Sequence, residues 1–439
     1  MNKIVFTKPY IDEDIIKSVV NSLESGWITT GPKVIELENI ICNLFNVSNC
    51  LCLNSWTNAA EALLRWFGVC EGDEVIVPVM TYCATANIVL HCGAKVVFVD
   101  VDDNMNINVN KIREKINKNT KVIMPVDIAG LSCNYNEIIN IVNEKNIKKK
   151  FNPRNDLQKK LGRIMILSDA AHSIGAKYND KFACNYADFT VFSFHAVKNI
   201  TTAEGGAICF NLPKQFDNSE VYKYLKMFTL HGQTKTALDK YSDNASKHNY
   251  WKYDIIVPGY KYNMPDILAC IALEQLKKFD KLMEIRRNIC KRYFDNLKVC
   301  SSIKIPVPYT ELDNSSCHLF CINIEDFEEE ERDELLNSMA DLDISMNVHF
   351  KPLPLLSVYK NLGYKIDNYE NAKNIYENVI SLPLHYSLSF KDVDFICDNL
   401  INNINKLKKT NDKKNISMLE GKIINLGDKT NNEDTFDDK

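Results

Sequence analysis

Short apolar runs that end in polar or hydroxylated turns recur through the first half of this chain. Cys50–Leu53, Glu74–Pro78, Lys95–Asp100, Lys121–Val126, Ile164–Leu167, Phe189–Phe194 and Ala207–Phe210 read as strands. Helical spacing fills several of the gaps: Ala59, Ala60, Leu63, Leu64 and Phe67 after the first strand, Ala84 to Leu90 after the second, Ile138 to Val142 after the fourth. Strands alternating with helices at this rhythm predict an α/β layered domain with a largely parallel sheet. In such sheets ligands sit beyond the carboxyl ends of the strands. Ser55, Tyr82, Asp169 and Lys198 all follow strands, so one cleft could gather them.

A chain of 439 residues exceeds one ordinary core, and two domains are expected. A long helix with Ile267, Ile271, Leu273, Leu276 and Phe279 on its apolar face carries the boundary. The division is a large domain over 1–280, a smaller α+β domain over 281–407, and a polar tail over 408–439 that lacks a packed core and is expected to be disordered. Residues 148–163 interrupt the strand–helix rhythm with Lys148, Lys149, Lys150, Arg154, Lys159, Lys160 and Arg163 against Asp156 alone. They read as a solvated loop or helix on the rim, with a phosphate-attracting flap as the alternative. The polar stretch from His231 to Tyr253 reads as a flexible loop.

A formal net charge of −4 gives no long-range attraction to nucleic acid or an anionic membrane. No apolar run approaches the ~20 residues that span a bilayer, and the start, Met1 to Pro9, lacks a signal peptide's apolar segment. A cytoplasmic protein is expected. Fifteen cysteines are scattered without zinc spacing and read as buried reduced thiols. Asp100 to Asn106 imitates the start of a calcium loop, but Met105 stands at the sixth position and Lys111 at the twelfth, so no metal site is expected.

The chemistry concentrates in Ser193-Phe194-His195-Ala196-Val197-Lys198-Asn199, read with Asp169 upstream and Glu204-Gly205-Gly206 downstream. A lysine after one strand and an acid at the end of another are what a pyridoxal-phosphate enzyme needs, an amine for the Schiff base and a carboxylate for the pyridinium nitrogen. Asn54-Ser55-Trp56-Thr57-Asn58 opens a helix after a strand, which suits an anion, although an ordinary N-cap explains it better in isolation. Tyr82 could stack on a flat ring or simply pack. Thr30-Gly31-Pro32 is either a plain loop or one that faces a ligand.

Gly26-Trp27-Ile28-Thr29-Thr30-Gly31-Pro32, Asp169-Ala170-Ala171-His172, the run from Phe192 to Gly206 and Gly259-Tyr260-Lys261-Tyr262-Asn263 together resemble the DegT/DnrJ/EryC1/StrS sugar aminotransferases. These are fold-type-I pyridoxal-phosphate enzymes, with a large domain around a mostly parallel sheet flanked by helices and a smaller C-terminal α+β domain. The resemblance covers about Trp27 to Leu407 and omits the basic segment 148–163, taken as an insertion, and the tail. It is greatest to enzymes that aminate C4 of a UDP-linked 4-keto sugar for cell-surface polysaccharide or glycan biosynthesis.

The resemblance implies roles position by position. Lys198 binds the cofactor's aldehyde carbon and shuttles a proton, and Asp169 keeps the pyridinium nitrogen protonated. Ser193, Thr57 and Asn58 match phosphate-binding positions, which turns the helix start at 55–58 into an anion site. Tyr82 matches the ring that stacks on the pyridine, and His172 lies beside the phenolic oxygen. Asn263 reaches the phosphate from a second subunit, which implies a homodimer with shared sites. His349 and, less specifically, Thr30 lie toward the sugar. Glutamate is the implied amino donor. Ser168 departs from relatives that carry Glu there. Dehydrating relatives replace the lysine with His, so Lys198 favours transamination. The rivals are a dehydratase-type or free-sugar reaction, and a cofactor-binding homologue without turnover.

Overall fold

The structure, a computed structural model, describes residues 3–242, 248–306 and 311–430, with side chains through 410. Seven strands form the main sheet in the spatial order Asn49–Leu53, Gly206–Phe210, Phe189–Ser193, Met165–Asp169, Thr120–Ile123, Glu74–Pro78, Lys95–Val99. Every pairing is parallel except the two made by Gly206–Phe210, which runs against both neighbours. The strands between the edges are almost wholly buried, as a sheet covered on both faces requires.

Period-two alternation divides the core into two layers. On the first strand Leu51 and Leu53 join Ala60 and Leu63 of the helix Trp56–Trp66. Cys50 and Cys52 point the other way, toward Leu37 and Ile41 of the helix Pro32–Phe45. Cys209 alternates in the same way with Ile208 and Phe210. All fifteen cysteines are free thiols, most of them spent as small core residues.

A further core gathers around the antiparallel sheet of Ile303–Lys304, Phe320–Ile324 and Val379–Leu382. The helices Phe279–Leu297, Glu329–Ala340 and Phe390–Thr430 supply most of its other residues. The last of these buries Val393, Ile396, Leu400 and Ile404 and continues to Thr430, into the segment read as a tail. Residues 431–439 lie outside the described residues. Among the described residues no helix is long and apolar enough to cross a membrane, and no group of metal-binding side chains occurs.

The basic segment keeps its lysines exposed and packs through Phe151, Gln158 and Leu161. It forms the helices Lys145–Lys150 and Asp156–Leu161, with Gln158 fully buried. Asn155 Nδ2 and Gln158 Nε2 donate to Phe67 O at 3.0 and 2.9 Å, and Arg154 donates to Glu71 O at 2.8 Å. Lys121 Nζ donates to Asn152 O at 2.5 Å. Glu71 precedes the strand Glu74–Pro78 and Lys121 stands early in Thr120–Ile123. The segment therefore sits at the amino edge of the sheet, not on the rim at the carboxyl edge. The stretch read as a loop from His231 contains a short helix, Ala237–Tyr241, and residues 243–247 of it lie outside the described residues.

Candidate active site

A cavity of about 530 Å³ opens at the carboxyl edge of the main sheet, where the small antiparallel sheet meets it. Asp169 ends its strand there, buried. Its Oδ2 accepts from Thr85 Oγ1 at 2.9 Å and its Oδ1 from the Ala171 amide at 3.1 Å. Burial raises this carboxyl to about 6, against the pull of Thr85, the Ala171 amide and the charge of Lys198.

Lys198 lies on the turn after Phe189–Ser193, its amide donating to His195 O at 2.9 Å. Phe194 O accepts from both Thr201 Oγ1 and the Thr202 amide at 2.9 Å, which folds the small hydroxylated run back on the strand end. Burial lowers the Lys198 ammonium to about 8, with Asp169 opposing the shift. An acid held high and a base held low, each the other's charge partner, share one cavity.

Ser193, Thr57 and the Ser55–Trp56 turn form one wall. Ser55 Oγ accepts from the Asn58 amide at 3.0 Å, a regular N-cap, so the residue does serve the helix. The amides of Trp56 and Thr57 belong to the first turn, which has no acceptor inside the helix. A Cβ on Gly206 would lie 2.6 Å from Ser55 C and from Trp56 N, so only glycine lets the antiparallel strand approach this turn. Tyr82 borders the cavity at 62% exposure, its ring 6.2 Å from that of Phe350. His172 is buried, accepts at Nδ1 from the Ala129 amide at 3.3 Å and stacks on Phe350. His349 bonds Ser381 Oγ through Nδ1 at 2.9 Å, and burial followed by the Lys198 charge lowers it to about 4.

Three expected residues are elsewhere. Asn58 turns its side-chain amide to Asn54 Oδ1 at 2.8 Å. Thr30 and Asn263 meet each other, Asn263 Nδ2 donating to Thr30 Oγ1 at 2.6 Å, beside a small separate cleft. Within one chain neither lines the main cavity.

Thr85, His318, Phe6 and Thr7 line the cavity and were not read from sequence. Thr85 stands three residues after Tyr82, in the first turn of the helix Cys83–His91 that Tyr82 caps. His318 and Phe6 arrive from distant parts of the chain, and no local pattern marks them.

The donor set fits pyridoxal phosphate. A planar group has the open face of Tyr82, a ring nitrogen has a buried carboxylate that gains from a cation, and an aldehyde has an amine of lowered pKa. A phosphate has the first-turn amides of Trp56 and Thr57 with the Ser193 hydroxyl.

The model of the DegT/DnrJ/EryC1/StrS aminotransferase family matches residues 9–149 and 153–401, leaving only 150–152 of the basic segment unmatched. The chain is 32% identical to the spore coat polysaccharide biosynthesis protein SpsC of Bacillus subtilis, over 90% of this chain and 95% of that one. It is also 32% identical to the UDP-4-amino-4,6-dideoxy-N-acetyl-beta-L-altrosamine transaminase of Campylobacter jejuni, over 92% and 99%. A Streptococcus pneumoniae protein named as a sugar aminotransferase, Spr1654, superposes in its PMP-form with a TM-score of 0.87 at 39% identity, over 93% of this chain and all of that one. The same protein in its PLP-form gives 0.85. The chain belongs to the DegT/DnrJ/EryC1/StrS aminotransferase family.

Proposed function

We propose that this enzyme uses pyridoxal phosphate to move an amino group from glutamate to C4 of a UDP-linked 4-keto sugar, for glycan assembly in the cytoplasm. The observation that carries the reading is the pairing of Asp169 with Lys198 in one cavity at the strand ends. The Campylobacter jejuni relative, whose name specifies a UDP-4-amino sugar, supports the substrate class.

Pyridoxal phosphate, when bound, supplies the electron sink that makes a carbon beside the transferred nitrogen acidic. The residues supply the rest. Asp169, fixed at both oxygens by Thr85 and the Ala171 amide, places a negative charge where a protonated ring nitrogen is favoured. Lys198 Nζ, lowered to about 8, keeps a neutral fraction at physiological pH and so takes a proton from a substrate carbon and returns it. The Trp56 and Thr57 amides, Thr57 and Ser193 would hold the phosphate. His172 would orient the ring oxygen, and His349 with Phe6, stacked at 5.5 Å, would bound the sugar side.

In a homodimer the Thr30–Asn263 pair would complete the phosphate site of the partner, which accounts for its distance from the cavity of its own chain. Asn58 is retained in this reading as a phosphate neighbour through its place in the first turn.

The test is spectroscopic. The purified enzyme should absorb in the visible, lose that absorbance with glutamate and regain it with a UDP-4-keto sugar. A colourless protein, or a coloured one indifferent to every amino donor, would sink the reading.

A further inference from the structure

Asn199, next to Lys198, is buried with its amide fixed in one orientation. Nδ2 donates to Ser316 O at 2.7 Å, so Oδ1 faces His318 Nδ1 at 3.0 Å. An amide oxygen only accepts, so the proton of this bond belongs to His318 Nδ1. Burial, reinforced by the neighbouring His172, Lys198 and Arg286, holds His318 neutral. A neutral imidazole has a single N–H, which leaves His318 Nε2 as a bare acceptor.

His172 is set the opposite way. Its Nδ1 accepts from the Ala129 amide, so its Nε2 carries the proton. The two rings lie 4.4 Å apart between centroids and both border the cavity. Neither Nε2 has a hydrogen-bond partner among the described residues. One histidine presents a donor and the other an acceptor, and each tautomer is fixed from behind by the fold.

We propose that His318 is a substrate-binding residue whose bare Nε2 accepts a hydrogen bond from a sugar hydroxyl, and that Asn199 is the positioning residue that sets this tautomer. The proposal rests on the keto-sugar reading above. The bare acceptor opens on the cavity, where a bound substrate takes the place of water and is expected to bring it a donor. A neutral acceptor takes the O–H of a sugar and gives nothing to the carboxylates of an amino donor, whose one nitrogen is the group transferred, so its contribution is expected in the sugar half of the reaction.

Two measurements test this. In holoenzyme labelled with 15N at histidine, long-range proton–nitrogen correlations should show His318 protonated at Nδ1. Asn199→Asp, which keeps an oxygen in place, should preserve that pattern, and Asn199→Leu should lose it. Asparagine mimics the Nδ1 side of an imidazole and glutamine the Nε2 side. His318→Asn should therefore raise KM for the keto sugar about tenfold with a smaller change in kcat, and His318→Gln should recover most of the loss. An Nε2-protonated His318 in the wild type overturns the proposal. So does a wild-type KM in His318→Asn, or equal losses in both His318 variants. A wild-type enzyme that takes the amine from glutamate yet aminates no keto sugar overturns the substrate reading and the proposal together. One that aminates a keto sugar while His318→Asn keeps its KM overturns the proposal alone.

Discussion

At the scale of single residues, Asp169 gives a signed pH dependence. Its carboxyl rises from an ordinary 3.8 to about 6 in the folded, cofactor-free protein. Between those values the folded state binds more protons than the unfolded one, so this group's contribution to stability falls as pH rises from about 4 to 6. Denaturant titrations of apo wild type should therefore lose stability relative to apo Asp169→Asn across that window, and parallel curves would refute the assignment. Lys198→Ala should abolish the Schiff-base absorbance band in the cofactor-loaded protein and reduce turnover by about a thousandfold or more, measured in single turnovers. Asp169 and Lys198 were legible in the sequence because each follows a buried β-type run, and Ser193 and Tyr82 for the same reason. His318 was not, because its place in the cavity depends on Asn199, 119 positions away along the chain. Ser168 differs again: its hydroxyl pairs with Tyr135 OH at 2.5 Å, and Tyr135 in turn donates to the buried Asp127. The departure at this position is thus absorbed into a hydrogen-bond network behind the strand rather than in the cavity.

At the scale of elements, two helix starts govern the site. The approach of Gly206 to the Ser55–Trp56 turn leaves no space for a methyl group. Gly206→Ala should cost about 1–3 kcal/mol by overpacking and weaken cofactor binding, read by denaturation and by cofactor titration of the same sample. The helix Pro32–Phe45 has no side-chain cap of its own. The buried Asp266 serves instead, accepting from the amides of Gly31, Lys33 and Val34 at 2.7, 3.0 and 3.0 Å. Asp266→Ala should cost about 2–3 kcal/mol in denaturation experiments and loosen the Thr30–Asn263 contact beside it. The strand and helix rhythm of the large layer was plain from period and turn residues. The capping of one helix by an acid more than two hundred residues away was not, since such a bond is invisible to any local window.

At the scale of the whole molecule, the proposed sharing of sites between two chains makes a sharp prediction. Lys198→Ala and Asn263→Ala chains, each impaired alone under limiting cofactor, should regain activity when unfolded together and refolded. Equal mixing leaves half the dimers mixed, each with one complete site, so recovery should approach about a quarter of the wild-type rate. No recovery would mean that Asn263 acts within its own chain. We propose that the division into a large and a small unit falls along Phe279–Leu297, and the cavity between the main and small sheets places His349 and His318 opposite Lys198. The amino edge of the sheet carries none of this chemistry. It holds the packed basic helices and the only interior residues, 150–152, that the family model passes over. For protein engineering that makes the far edge a grafting point: an epitope or fluorophore spliced in beside Lys150 would report on the enzyme from the side it does not use.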